Sequence, residues 1–153
     1  MVGLSDSKEY AYAKRHGEIT NKHKTDVQIS EAVRTAMSTP FMEALSIKNA
    51  LEDGSLVAGK INWQKFYGSA NGNFIVRNTT KYRLHNLKYV VHFSSSSTGS
   101  EITQDDGYVK VGDLMPGEST SASFYSSYVG SANWARVTLH IDEDDLYDAI
   151  LEQ

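Results

Sequence analysis

Two hydrophobic periods divide the chain. Between residues 25 and 54 apolar positions recur every three or four residues: Ile29, Ala32, Val33, Ala36 and Met37 fall at i, i+3, i+4, i+7 and i+8, one stripe of a 3.6-residue helix. Thr25 followed three residues later by Gln28 reads as a capping box that opens this helix. Pro40 pushes the residue before it out of the helical region, so the pattern predicts a break at "MSTPF", with Thr39 as a new N-cap and Pro40 as the first residue of a new helix. Phe41, Ala44, Leu45, Lys48 and Leu51 continue one face, and Gly54 suits a left-handed C-terminal position. The expectation is two short helices or one kinked helix.

From residue 55 the period becomes two. "LVAGKINWQKFYG" and "GNFIVRNTT" read as strands joined through "SANGN", whose Asn-Gly pair is a strong hairpin signal. In "LHNLKYVVHF", Leu87, Tyr89, Val91 and Phe93 share a face opposite Lys88, Val90 and His92. The polar "SSSSTGS" is a loop, and "ITQDDGYVKV", "TSASFYSSYV" and "WARVTLHI" supply further strands. In the last of these, Ala135, Val137, Leu139 and Ile141 oppose Arg136, Thr138 and His140. About six or seven short strands with frequent turn signals predict an antiparallel β-sandwich. The tail "DEDDLYDAILEQ" opens with acidic residues suited to a helix N-terminus and carries Leu146, Ala149 and Ile150 at helical spacing.

The chain of 153 residues therefore divides into a flexible or partly helical lead (1–24), a helical segment (25–54), a sandwich (55–142) and a C-terminal helix (143–153). This length suits a single domain.

Three pieces of the β region resemble the FxLYD family of bacterial immunoglobulin-like domains. They are Gly72, Val76, Asn78 and Thr80; then Leu84, Asn86, Leu87, Val91, Phe93 and Gly99; then Leu114, Pro116, Gly117, Glu118 and Ser119. The resemblance covers about residues 72–141, and "FSSSSTG" stands where the family has an aromatic followed by aspartate. It implies that the mainly β, antiparallel sandwich is immunoglobulin-like; the N-terminal helical extension and the short C-terminal helix read from the helical spacing lie outside the resemblance. It also implies an extracytoplasmic setting, cell envelope or secreted. In such a fold "LMPGEST" is a corner between sheets: Leu114 plugs the core, Pro116 and Gly117 fix the turn, and Glu118 and Ser119 face water. Asn78 and Asn86 bracket a turn through bonds to nearby backbone.

Charge and composition narrow the function. The net charge of −4 provides no field for nucleic acid, although Lys8, Lys14, Arg15, Lys22 and Lys24 cluster with His16 and His23. No apolar run is long enough to span a bilayer, and the first residues lack the hydrophobic region of a signal peptide, which leaves a cytoplasmic setting open as well. With no cysteine there are neither disulfides nor thiolate sites.

The five histidines form no ligand motif, so no metal site is expected; His92 and His140 lie on outer strand faces and become neighbours if their strands pair. Asp105-Asp106 and Asp142 to Asp145 fit a turn and a helix start better than a calcium loop, and the serine runs contain no nucleophile elbow. "NTT" at 78–80 matches the N-glycosylation pattern. No catalytic or cofactor-binding residue emerges, and no cofactor is expected.

Aromatic side chains remain as recognition surfaces, with Trp63, Tyr128 and Trp134 the candidates for contacting a ligand or partner. The helical stripe of Ile29, Val33, Met37, Phe41 and Leu45 is the candidate partner helix. The reading is a non-enzymatic binding or assembly module, whose partner is another protein or a second copy. The alternatives are a virion or filament subunit assembling through its helical arm, and a carbohydrate-binding module.

Overall fold

The change of period near residue 55 is where helix gives way to sheet. A computed structural model describes residues 8–17 and 25–152. Part of the expected lead, with Lys22, His23 and Lys24, lies outside the described residues.

Among the described residues three helices are present: α1 (Lys8–Arg15), α2 (Asp26–Glu52) and α3 (Glu143–Leu151). The capping box forms as expected, with the Gln28 amide donating to Thr25 Oγ1 at 3.2 Å and the Thr25 amide donating to Gln28 Oε1 at 3.2 Å. The expected break at Pro40 does not occur: α2 is one 27-residue helix with Pro40 inside it and Thr39 in mid-helix rather than at a cap. Burial of the Pro40 ring offsets part of the cost of the missing amide. In the preceding turn the hydroxyls of Thr35 and Ser38 donate to Glu31 O at 3.0 Å and Thr35 O at 2.8 Å, the back-bonding that accompanies helix bending. The helix ends at Asp53, followed by Gly54 at φ 84°.

Part of the lead is helical, as α1. Its Ala13 is buried against Ala32 and Ala36 of α2, and small residues on both helices allow that approach. Arg15 donates to the Leu151 carbonyl and Lys8 pairs with Asp148, so α1 bridges α2 and α3.

The described residues form six strands, β1 (Val57–Phe66), β2 (Ser69–Arg77), β3 (Leu84–Ser94), β4 (Glu101–Leu114), β5 (Ser119–Ser126) and β6 (Trp134–His140). They form two antiparallel three-stranded sheets, ordered β1-β2-β5 and β4-β3-β6. Phe74, Val76 and Phe124 of the first sheet share one core with Leu87, Val91, Phe93 and Leu139 of the second. The helices close one end of this core with Ile47, Leu51, Leu146 and Ile150. Each such fully buried side chain contributes about 1.5–3 kcal/mol.

The β1–β2 hairpin turns four residues earlier than expected. Phe66 pairs with Ser69, and the two-residue turn is Tyr67-Gly68, with φ 49° and 84°. Both values are positive, as a type I′ turn requires. Asn71-Gly72 instead lies inside β2, where Gly72 serves a packing need: a Cβ there would lie 2.3 Å from the Asn62 carbonyl oxygen and 2.7 Å from the Phe124 ring.

The corner at 114–119 joins the two sheets. Leu114 is fully buried, the Glu118 amide donates to Met115 O at 2.9 Å, and Gly117 has φ 79°. Pro116 then occupies the second position of a turn whose third needs positive φ. Glu118 is partly open to water and also ties the corner: its carboxylate accepts from Lys110 Nζ and from the Met115 amide, which together hold its pKa below the usual range.

Candidate functional site

The outward positions of β3, β4 and β6 form the most heavily functionalised surface of the described residues. Register sets its rows: Tyr108, Lys88 and His140 stand side by side, then Asp106, Val90 and Thr138, then Gln104, His92 and Arg136. Beyond them, Ser94 pairs with Trp134.

A bonded chain runs diagonally across these rows. The Thr138 hydroxyl lies 2.9 Å from Nε2 of His92 and 2.8 Å from Nε2 of His140, and His92 Nδ1 contacts the Glu101 carboxylate. A hydroxyl donates once and can accept twice, so at most one of the two imidazole nitrogens accepts from it. With His92 Nδ1–H donating to Glu101, Thr138 donates to His92 and accepts from His140 Nε2–H. His92 and His140 are thus joined through one hydroxyl on β6.

The flanking charges are also held. Lys88 Nζ bonds Asp142 Oδ1 and Oδ2 at 3.1 and 3.0 Å and lies 5.8 Å from the Tyr108 ring centre. The bond to Asp142 raises the Lys88 pKa. Around this network Trp134, 48% exposed, stands with Tyr108 and Arg136 open to solvent. Trp, Tyr and Arg are the side chains that most often anchor protein interfaces.

The three aromatic candidates do not share a surface. Trp134 belongs to this face. Tyr128, 70% exposed, stands on the β5–β6 connection, which is tied to the hairpin by the Val129 amide donating to Gly68 O at 2.7 Å. Trp63 points into the core side, with its ring edge-on to Phe93 at 5.7 Å, because it pairs with Gly72 and occupies the room left by the missing side chain. It is half-buried there and also borders a shallow depression between β1 and β2.

The helical stripe is divided in use. Ile29 and Val33 pack on the α1 contact and Met37 is half-buried, whereas Phe41, 57% exposed, and Leu45 border a groove between α2 and α3. Asn78 is fully buried with its amide fully engaged, so the "NTT" pattern is closed to modification in the folded chain.

Sequence reasoning places His92, Thr138, His140 and Arg136 on outer faces and makes His92 and His140 neighbours if their strands pair; β3 and β6 do pair, and what the sequence does not show is Thr138 bonded between the two rings. The signal was present in the alternation; the β3–β6 register, which decides who meets whom, was not.

Among the described residues no group of three or more His, Asp or Glu side chains is placed to hold a metal ion. No described helix is long and apolar enough to cross a membrane.

No protein-family model matches this sequence, and no curated protein matches it. Among solved structures, the alkylpurine DNA glycosylase AlkC of Pseudomonas fluorescens, bound to DNA containing an abasic site analogue, aligns with 12% identity and a TM-score of 0.30. The alignment covers 89% of this chain and 41% of that one, and a likeness this weak carries no functional argument.

Proposed function

We propose that this chain is a non-enzymatic recognition module with an immunoglobulin-like sandwich, which docks another protein on the outer face of its β4-β3-β6 sheet. The observation that carries the reading is Trp134 and Arg136 standing exposed on a sheet whose neighbouring His92, Thr138 and His140 are bonded to one another. Anchors on a preorganised surface lose little entropy when they bind. The strand orders β1-β2-β5 and β4-β3-β6, linked by a corner that crosses between sheets, suit a Greek-key immunoglobulin-like connection. The resemblance to FxLYD domains supports placing the module at a bacterial cell envelope or among secreted proteins.

A second reading, assembly of copies through the helical arm, draws on Phe41, Met42 and Leu45, which α2 leaves exposed. It is weaker, because Ala44, Ile47 and Leu51 on the same helix are already spent on the chain's own core.

The test is a photo-crosslinking amino acid placed singly at Trp134, Arg136, Phe41 and, as control, Ser121, in the cells that make the protein. A discrete heterologous adduct at positions 134 and 136 alone supports the docking face. Adducts between identical chains at position 41 favour the helical arm, and equal labelling at all four sites removes both readings.

A further inference from the structure

The opposite sheet presents a surface of different chemistry. Register aligns Gln64, Asn71 and Tyr125 in one row across β1, β2 and β5, and Asn62, Asn73 and Ser123 in the next. All six are exposed, and Ser121 extends the pattern beside Ile75. None of these seven bears a formal charge, in a chain that is 22% charged, and the outward charge on β2, Arg77, stands one row beyond Ile75. The face opposite carries Lys88, Glu101, Asp106 and Arg136.

The two faces also differ in how their polar groups are used. On the β4-β3-β6 face the side chains are bonded to each other. Here the one side-chain bond is Gln64 Nε2 to Asn71 Oδ1, at a long 3.4 Å. Asn62, Asn73, Ser121 and Ser123 have no side-chain partner among the described residues. Each amide offers donors and an acceptor together.

We propose that this face binds an uncharged polysaccharide lying across the strands. The inference concerns a different sheet from the protein-docking reading and stands without it.

The chemistry selects the occupant. Nucleic acid or an acidic glycan needs Lys or Arg against its charge, and these rows contain none. A stable protein interface needs a dry apolar centre, whereas here the exposed apolar side chains Phe66, Ile75 and Tyr125 stand at the margins and the centre of the rows is amide and hydroxyl. Vicinal hydroxyls, each donor and acceptor, match paired amides, and the Tyr125 ring offers a platform for the apolar face of a pyranose.

The dimensions agree with this. Neighbouring strands lie about 4.8 Å apart, close to the length of one pyranose unit, so a chain crossing the strands meets a new amide or hydroxyl at each unit. A shallow depression of about 300 Å³ between β1 and β2, bordered by Asn62, Gln64, Asn71 and Asn73, lies on that path. The absent Gly72 side chain lets Trp63 and Phe124 pack from within behind this part of the sheet.

The experiment is calorimetric titration of the full chain with cellohexaose, chitohexaose, laminarihexaose and mannohexaose at low and high salt. At least one sugar is expected to bind with a Kd that salt leaves unchanged. Tyr125→Ala and the double variant Asn71→Ala/Asn73→Ala should each weaken it by about ten-fold, with unchanged melting temperature, whereas Trp134→Ala should leave it intact. Absence of binding by all four sugars overturns the proposal, as does binding abolished by salt or lost in Trp134→Ala and retained in Tyr125→Ala. A change in solution mass on Tyr125→Ala would assign the face to a second copy of the chain and overturn it equally. None of these outcomes bears on crosslinking at positions 134 and 136.

Discussion

The side-chain amide of Asn78 donates from Nδ2 to the Leu114 carbonyl oxygen at 2.9 Å, joining the loop after β2 to the corner after β4. The same nitrogen donates to Tyr82 O at 2.7 Å, while Oδ1 accepts from the Thr80 amide at 3.0 Å and from its hydroxyl. The Asn78 backbone bonds Glu118 O and the Gly117 amide. One fully buried side chain thus satisfies carbonyls from two segments that water cannot reach. Asn78→Ala should cost about 2–5 kcal/mol by leaving these groups unpaired. Asn78→Asp should be no better, since a carboxylate cannot donate to two carbonyls. Urea unfolding measures both, and a loss well below 1 kcal/mol in Asn78→Ala would remove Asn78 as the tie between loop and corner.

Tyr67 holds φ 49° in the β1–β2 turn while 94% exposed, so it bears left-handed strain with almost no burial in return. Its ring contacts Phe66 edge-on at 4.4 Å. Asn suits the first position of a type I′ turn, and a non-glycine residue there costs about 1 kcal/mol or more. Tyr67→Asn should stabilise the chain by a net ~0.5 kcal/mol after the ring contact is lost. Tyr67→Val should destabilise it, because a β-branched residue resists this conformation. The two denaturation midpoints should move in opposite directions; movement in the same direction would argue against the turn strain.

How far these features were legible follows from the kind of information each needs. Alternation identified the inward faces of Leu87 to Phe93 and of Ala135 to Ile141, because burial itself imposes that period. Leu114 with Pro116-Gly117 marked the corner, because only certain residues fit its dihedral angles. The Tyr67-Gly68 turn was hidden by the stronger Asn71-Gly72 signal, whose glycine answers to the Phe124 ring and not to a turn. The bonded His92, Thr138 and His140 and the uncharged rows across β1, β2 and β5 depend on register between strands distant in sequence. Local pattern contains no term for that.

Pro40 shows tertiary context overriding a local rule. Its ring is buried on a helix that also delivers Ala44, Ile47 and Leu51 to the core. A mid-helix proline costs up to about 3 kcal/mol relative to alanine, and loss of the buried ring offsets part of any gain. Pro40→Ala should therefore raise stability by about 1–2 kcal/mol, with greater far-ultraviolet helical signal. A variant that melts lower with unchanged helicity would mean that ring packing outweighs the missing amide.

Asp105 links acidity to the seam between the sheets. It sits on β4 facing β5, where burial first, and then the neighbouring Asp106, raise its pKa, opposed by bonds from the Asp106 and Tyr125 amides. Nearby, the Tyr89 hydroxyl donates to Ser123 O at 2.9 Å across the same seam, over Gly107, whose absent side chain leaves room for the ring. A carboxyl whose pKa is higher folded than unfolded binds protons more tightly in the native state. Its charge therefore destabilises the fold above that folded value, and the penalty fades as pH falls toward the unfolded value of about 3.9. Asp105→Asn keeps an acceptor for both amides and removes the charge. Its melting temperature should exceed that of the parent at neutral pH, and the gap should close on acidification to about pH 3. A gap that is constant with pH, or a variant less stable at neutral pH, would show that the amide bonds to the carboxylate outweigh its desolvation and the repulsion of Asp106.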